Sequence, residues 1–479
     1  MKTNSLDFDA RALREKILDL AMRGKLVKQD PNDEPASVLL EKIKAEKAEL
    51  VKEKKIKKSK PLPEITDDEK TFDIPESWEW VRLGDIGEIF AGGDKPKTFS
   101  KTKDKYHTIP IYSNGVENKG LYGFTNKARV YNPAITLSAR GTIGHVEYRK
   151  KPYLPIIRLI SFVPYNEEYL NCIFYFLQSE KLIEKGDGSS IPQLTVPKLK
   201  PKLIPFPPLE EQSRIAAKIA QLFALLRKVE SSTQQYAKLQ TLLKSKVLDL
   251  AMRGKLVEQD PKDEPASVLL EKIKAEKEQL IKEKKIKRSK PLPPISDEEK
   301  PFEIPDSWEW VRLGEVGIIT SGGTPKTKEE KYWEKGDIPW ITPAAMSSQD
   351  NKILFDNYQI KYINKEGLEH SSAKLISKNS LVVSSRAPIG YVNIVPFDYT
   401  TNQGCKSITI FDKQINKEYI YYAIKYAKPQ MYKRASGTTF KEISGSKFEQ
   451  VVVPLPPVKE QLSIARILDY IFNTSRKDN

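Results

Sequence analysis

Apolar residues along this chain fall into three rhythms, and each predicts a different kind of element. The clearest is helical. After Pro207-Pro208, apolar positions Ile215, Ile219, Leu222, Leu226 and Val229 alternate in steps of four and three, the spacing of a coiled-coil seam. Pro208 suits the first turn of a helix, and Glu210 and Glu211 suit its positive N-terminal end. A second series, Leu239, Leu243, Val247 and Leu250, runs up to Gly254, a C-terminal stop. Read as one helix, 208–252 would extend roughly 65 Å at 1.5 Å per residue. The polar stretch 230–235 is either a break or a solvated face.

The two ends of the chain repeat this rhythm in halves. Ile464, Leu468 and Ile471 reproduce the first half of the seam, and Leu13, Ile17 and Leu20 reproduce the second. The economical arrangement brings the termini together and lays the two terminal helices end to end, antiparallel against the central helix. Two variable domains would then stand at opposite ends of a rod, related by a pseudo-twofold axis. The alternative is that each terminal helix packs only on its neighbouring domain. A second, weaker helical stripe (Leu39, Ile43, Leu50, Val51) runs through the highly charged segment Glu41–Lys60, which recurs at Glu271–Lys290. It predicts a solvated amphipathic helix leading into the Pro61-Leu62-Pro63 linker.

The third rhythm is β-like. Trp78-Glu79-Trp80-Val81-Arg82-Leu83-Gly84 and its copy Trp308–Gly314 are each followed by a Gly-Gly turn, at 92–93 and 322–323. Short β-branched runs such as 134–138 and 381–384 come next, and helical stretches lie near 167–185 and 417–434. The tryptophans at 78, 80, 308 and 310 are read as core and interface packing. The overall class is therefore α+β, with two α/β variable domains joined by long helices.

Internal repetition explains why the rhythms recur. The 67 residues from Leu18 to Gly84 return from Leu248 to Gly314 with 55 identities, at a constant offset of 230. A shorter element, PPLEEQ at 207–212, returns as PPVKEQ at 456–461. The stretches between, about 85–206 and 315–455, are dissimilar. A period above 200 residues means duplicated domains rather than a solenoid, whose repeats run about 20–50.

Composition narrows the partner. Across 479 residues, 80 Lys+Arg against 64 Asp+Glu give a formal charge of +16, which favours a polyanion. Both variable stretches are net basic, 18 against 11 and 19 against 14. No apolar run approaches the roughly 20 residues of a membrane span, and the first residues lack a secretory core. Cys172 and Cys405 have no paired spacing and only three histidines occur, so neither a disulfide framework nor a metal site is expected, and the compartment expected is the cytoplasm. No phosphate-binding GxxxxGK[ST] loop and no Asn/Asp-Pro-Pro-aromatic motif accompanies the glycine or proline pairs, which argues against a catalytic site in this chain. A protein-binding coiled-coil scaffold is the rival class, but it gives no reason for two basic, divergent domains. A single-strand binder would want repeated aromatic platforms.

With these parts in order, the chain resembles the specificity subunit of type I restriction–modification systems. The resemblance is carried by the PPLEEQxxI and PPVKEQxxI helix starts, the WEWVRLG entries, SGGTPK at 321–326, IPWITP at 338–343, SARGTIG at 138–144, SSRAPIG at 384–390 and NQGCKSI at 402–408. It implies a conserved helical region at 1–60, a first target-recognition domain at 61–206 and a central helical region at 207–290. A second recognition domain at 291–455 and a C-terminal helix at 456–479 complete the chain. Each recognition domain would read half of a bipartite site in double-stranded DNA. The coiled coil would fix the half-site spacing and dock two methyltransferase subunits. A restriction motor subunit could join. S-adenosylmethionine, ATP and Mg belong on those partners, and no cofactor is expected on this chain. The first domain departs from the pattern, with Ile109–Asn114 opposite Ile338–Pro343 and Gly92–Lys97 opposite Gly322–Lys326, so the two halves should read different sequences.

Phosphate contacts position a protein on DNA, whereas a few side chains at base edges specify sequence. Arg140 and Arg386, each in a Ser-x-Arg-x-x-Ile-Gly turn, either read guanine as a bidentate fork or brace a strand-end loop. Asn402 and Gln403 either read adenine or cap the turn at Gly404. Ser189, Ser190 and Gln193, and Thr438 and Thr439 in the second half, form either a DNA-facing loop or a simple turn. Thr142, Lys95, Lys97, Thr324 and Lys326 complete the candidate DNA-facing set.

Overall fold

The computed structural model describes residues 9–179, 193–288, 290–347, 351–355, 359–386, 388–437 and 441–477, with side chains through 473. The chain divides into two compact units, one spanning Asp7–Gln234 and the other containing Gln235–Asn479. The division falls inside the central helix, Leu209–Met252, which is unbroken through the polar stretch 230–235. Thr233 adapts to that stretch by returning its hydroxyl to the Val229 carbonyl at 2.9 Å.

Each unit pairs one terminal helix with one half of the central helix. In the first, helix Ala10–Met22 lies antiparallel to the start of the central helix. Arg14 reaches Glu230 with both Nη groups, while Arg214, near the other end, grips Asp33 just beyond the terminal helix. Leu18, Ala21 and Met22 share a core with Ile215, Ile219 and Phe223. In the second unit, helix Val458–Lys477 packs Ile464 and Leu468 against Val247, Ala251 and Met252, with Lys244 over the Phe472 ring.

The seam differs from its sequence reading in register. Ile215, Ile219, Val247, Ile464 and Leu468 are buried as expected. Leu222, Leu226, Leu250, Ile17, Leu20 and Ile471 are half-buried, and Leu13 and Leu243 stand 42% and 56% exposed. The residues actually covered are Leu18, Ala21 and Met22 in the first unit and Val247, Ala251 and Met252 in the second, with Phe223 in place of Leu222. The physical reason is that each helix end is covered from two sides. Besides the paired helix it meets the charged helix, Ala36–Lys52 or Ala266–Lys282, through Leu39 and Ile43 or Leu269 and Ile273, and it meets the domain entry at Trp78 or Trp308. A broadened apolar face turns away from the strict three–four stripe.

Both helix ends close on a glycine. Gly24 and Gly254 each have φ +66, and a Cβ on either would stand 2.4 Å from a proline ring carbon, of Pro75 or Pro305. Only glycine meets the left-handed turn and the contact together.

The two variable domains share one topology. In the first, strands β1 (Glu79–Arg82), β2 (Gly87–Ala91), β3 (Ile109–Tyr112), β4 (Leu121–Thr125), β5 (Ala134–Ser138), β6 (Val146–Arg149), β7 (Leu154–Pro155), β8 (Leu159–Pro164) and β9 (Leu203–Phe206) form three sheets, ordered β2-β8-β5-β6, β4-β3-β7 and β1-β9. In the second, β10 (Glu309–Arg312), β11 (Gly317–Ser321), β12 (Ile338–Ile341), β13 (Lys361–Ile363), β14 (Leu381–Ser384), β15 (Val392–Ile394), β16 (Thr400–Thr401), β17 (Cys405–Ile410) and β18 (Val452–Leu455) give β11-β17-β14-β15, β13-β12-β16 and β10-β18. Helices Leu170–Phe176 and Lys417–Tyr426 cover the four-stranded sheets, inside the expected helical stretches. Strand β5, Ala-Ile-Thr-Leu-Ser, is inside the sheet and buried at all five positions, its two hydroxyls being matched: Thr136 accepts from Arg149 at 2.9 Å and Ser138 donates to the Asn114 carbonyl at 3.1 Å.

Entry and exit of each domain are pinned by the duplicated residues. The last residue of β1, Arg82, donates to the carbonyls of Pro63, Glu64 and Pro201 and to the Glu69 carboxylate. Arg312 repeats this with Pro293, Pro294, Gln450 and Glu299. The indoles of Trp78 and Trp308 donate to the buried carboxylates of Glu211 and Glu460, at 2.8 and 2.9 Å, in the PPxxEQ helix starts. Burial pushes both carboxyls above their ordinary range.

Candidate nucleic-acid interface

In each variable domain the candidate residues gather where the large sheet ends in loops. In the first, β5 ends at Ser138 and the chain turns through Arg140, Gly141 and Thr142, with Gly141 at φ +79. Asn114, just after β3, holds that turn. Its amide donates to the Arg140 carbonyl at 2.6 Å, and its own carbonyl accepts from Ser138 at 3.1 Å and Thr142 at 2.6 Å. The backbone of Arg140 is therefore fixed, while no hydrogen bond or ion pair engages its guanidinium among the described residues. Thr142, an expected DNA contact, spends its hydroxyl proton inside the turn. Leu194 donates its backbone N–H to Ala139 at 2.9 Å, which sets the exposed Gln193 beside Arg140. Ser189 and Ser190 lie outside the described residues.

The Gly-Gly turn belongs to the same end of the sheet. Gly92 and Ala139 both donate to the start of β8, to the Leu159 and Arg158 carbonyls, and a Cβ on Gly92 would stand 2.2 Å from the Ile156 oxygen. The following loop, 94–107, carries five lysines against two aspartates. Lys95 lies over the Phe99 ring at 4.9 Å and Lys101 over Tyr122 at 4.0 Å, and Lys97 is exposed. Aromatic faces hold these ammonium groups, and Lys101 also donates to the Tyr122 carbonyl at 3.3 Å.

The second domain places its counterparts around the start of β17. Ser385 donates to the Gly404 carbonyl at 2.7 Å and Gly323 to Thr401 at 2.8 Å. Thr324 and Gln403 meet side chain to side chain at 2.5 Å. Asn402 accepts from Gly404 N–H at 2.9 Å, so its carbonyl oxygen caps the turn, the second of the two roles open to it from sequence. Arg386 stands 55% exposed with its Nε–H on Glu442 at 2.9 Å. Behind them Lys406 is buried. It donates to the Gln403 carbonyl at 3.0 Å and stands 3.9 Å from Glu442. Burial pushes the Lys406 ammonium down from its ordinary value, and Glu442 pulls it back up. Lys326 is exposed, its carbonyl facing the Trp333 indole at 3.3 Å. Thr438 and Thr439 lie outside the described residues. The loop 324–337 matches four lysines with four acidic residues, so it lacks the excess charge of its counterpart.

Sequence reading missed Asn114, Glu442 and Lys406. Each comes from a segment remote from the arginine turn it supports, and only strand pairing reveals the neighbourhood. Together the two sites offer guanidinium forks, amides, hydroxyls and ammonium groups, the chemistry of base-edge and phosphate recognition. Among the described residues, no group of three or more His, Cys, Asp or Glu stands placed to hold a metal ion, and no helix is long and apolar enough to cross a membrane.

Comparison with known proteins agrees with this geometry. Residues 75–240 and 305–478 match the family model of the type I restriction modification DNA specificity domain. The chain is 33% identical to the Escherichia coli type I restriction enzyme EcoAI specificity subunit, across 98% of this chain and 90% of that protein. It is 36% identical to the Escherichia coli EcoEI specificity subunit, across 72% of this chain and 69% of that protein. A chain from a solved structure concerned with complex assembly and conformational transition of the type I R-M system has the same fold, with a TM-score of 0.54 at 20% identity, covering 85% of this chain and 94% of that one. By its matched domains, its whole-length relatives and its duplicated architecture, the chain belongs to the type I restriction–modification specificity subunits.

Proposed function

We propose that each recognition domain reads one half of an asymmetric, bipartite site in double-stranded DNA, and that this chain supplies recognition while partner subunits supply catalysis. The observation that carries this reading is one topology used twice with unlike loops. Arg140 and Gln193 stand where the second domain has Arg386 and Glu442, and Asn114 and Ile157 stand where it has Pro343 and Gln403, within an equivalent strand frame. Different donors and acceptors on equal scaffolds are what two unlike half-sites require.

The duplicated helices are the natural dock for two copies of one partner, an adenine-N6 methyltransferase subunit carrying S-adenosylmethionine. A motor-nuclease subunit using ATP and Mg completes the complex. The coiled coil sets the gap between the half-sites. Selection from a random duplex library tests the reading, with the full chain alone and then with its methyltransferase partner. The expected result is two short unlike blocks separated by a fixed unspecified gap. Recovery of no motif from folded, assembled protein would overturn the reading in favour of a protein-binding scaffold.

A further inference from the structure

We infer that Glu442 is a positioning residue for base reading in the second recognition domain, orienting Arg386 so that the outer edge of its guanidinium forms a bidentate fork. The inference rests on the reading of Arg386 as a DNA contact and extends it to a residue 56 positions away.

The geometry is specific. A guanidinium offers five donors in one plane, and guanine presents O6 and N7 as a matching pair of acceptors. Glu442 takes the Nε–H of Arg386 through Oε2. That contact restrains the last side-chain torsions, and among the described residues no hydrogen bond engages the two terminal nitrogens. A long exposed arginine otherwise spends entropy on each new contact, and a fork fixed before binding loses less.

Glu442 is itself held from two directions. Its backbone pairs with Ser436 in both senses at 2.9 Å, and the next residue, Ile443, donates to the Ser385 carbonyl at 3.0 Å. Its other carboxylate oxygen faces the buried Lys406 ammonium, which is anchored on the Gln403 carbonyl. The carboxylate is thus fixed by the same strand ends that carry the arginine. It is also the group that balances a lysine burial alone would disfavour.

The first domain supplies an internal comparison. Leu194 bonds Ala139 as Ile443 bonds Ser385, so Gln193 occupies the place of Glu442 beside Arg140. Arg140 therefore has a neutral amide where Arg386 has a carboxylate. The two arginine turns look alike in sequence, yet among the described residues one arginine meets a carboxylate and the other does not. The domains thus differ in how rigidly they demand guanine.

The test uses the full-length chain with its methyltransferase partner and a random duplex library, comparing wild type with Arg386→Ala, Glu442→Ala and Glu442→Gln. Arg386→Ala identifies the base pair read by the arginine as the column whose guanine preference disappears. Glu442→Ala is expected to reduce preference at that same column by about ten-fold, leaving the other columns of that block and the whole second block unchanged. Glu442→Gln, which keeps an acceptor for the Nε–H, is expected to retain more than half of the preference. The unchanged block serves as the control for folding. An intact column in Glu442→Ala would overturn the inference, and so would an equal fall in binding to all duplexes or a loss spread over the whole block. A wild-type motif with no column lost in Arg386→Ala would overturn it together with the arginine reading, whereas absence of any wild-type motif would instead overturn the proposed function.

Discussion

The guanidinium of Arg312 is only 2% exposed, and it donates to three backbone carbonyls and one carboxylate. Burying a cation is costly unless its donors are matched, and here the match ties the linker, the entry strand and the exit segment to one group. Removing it leaves those acceptors without a partner. Arg312→Ala is therefore expected to lower the stability of its unit by about 3–5 kcal/mol, seen as a shift in urea midpoint. Arg312→Lys is expected to recover little, because an ammonium cannot present a planar fork to acceptors on several sides. A midpoint near wild type for either variant would contradict this role. The partner carboxylate carries a pH signature. Arg312, Ser296 N–H and Arg434 hold Glu299 down to about 2, although burial opposes them. A folded value below the ordinary one of 4.5 contributes stability that is present above that value and lost as pH falls from it toward 2. Glu299→Gln should flatten that part of the acid-unfolding profile, and an unchanged profile would sink the assignment.

At the scale of elements, sequence and structure agree on kind and differ on facing. The heptad-like spacing located the central helix and both terminal partners, and the 55 shared positions located the domain entries. Which side of each helix is covered was not legible, because periodicity reports an apolar face without naming the neighbour that meets it. Leu13 and Leu243 fit the stripe yet face solvent, while Ala21 and Ala251, small residues a stripe count overlooks, are fully buried. The recognition sites show the same limit. Arg140 and Arg386 stood out by their repeated turns, but Asn114 and Glu442 needed strand pairing to bring them near. The corrected seam gives a direct contrast. Leu468→Ala, which truncates a fully buried side chain against Val247, Ala251 and Met252, is expected to cost about 2–5 kcal/mol. Leu243→Ala is expected to change stability by about 0.5 kcal/mol or less in the same denaturation assay. Equal costs at the two positions would restore the original register.

For the molecule as a whole, each unit owns a complete core. Among the described residues, 17–226 supply one main core cluster and 247–472 another, with no residue shared between them. Two readers with separate cores should act on base sequence independently. The double variant Arg140→Ala/Arg386→Ala is expected to lose discrimination equal to the sum of the single losses, within about 0.5 kcal/mol, measured by competition binding to the selected site and its single-base variants. A larger coupling would mean that the domains communicate through the helices.

The short strand pairs at the domain bases have a consequence for ancestry. Entry strand β1 runs antiparallel to exit strand β9, Glu79 opposite Phe206 and Arg82 opposite Leu203, and β10 meets β18 in the same register, Glu309 opposite Leu455 and Arg312 opposite Val452. Everything between those strands leaves the conserved framework and returns to it side by side. A foreign segment spliced in at these points would arrive with both ends already adjacent, and would need to replace the contacts that Lys352 and Tyr422 make with Asp469, and Tyr426 with Asp249, on the helices behind it. A new domain could thus enter by exchange at these points, and the near-identity of the two copies at the domain entries supplies a matching stretch along which such an exchange could align.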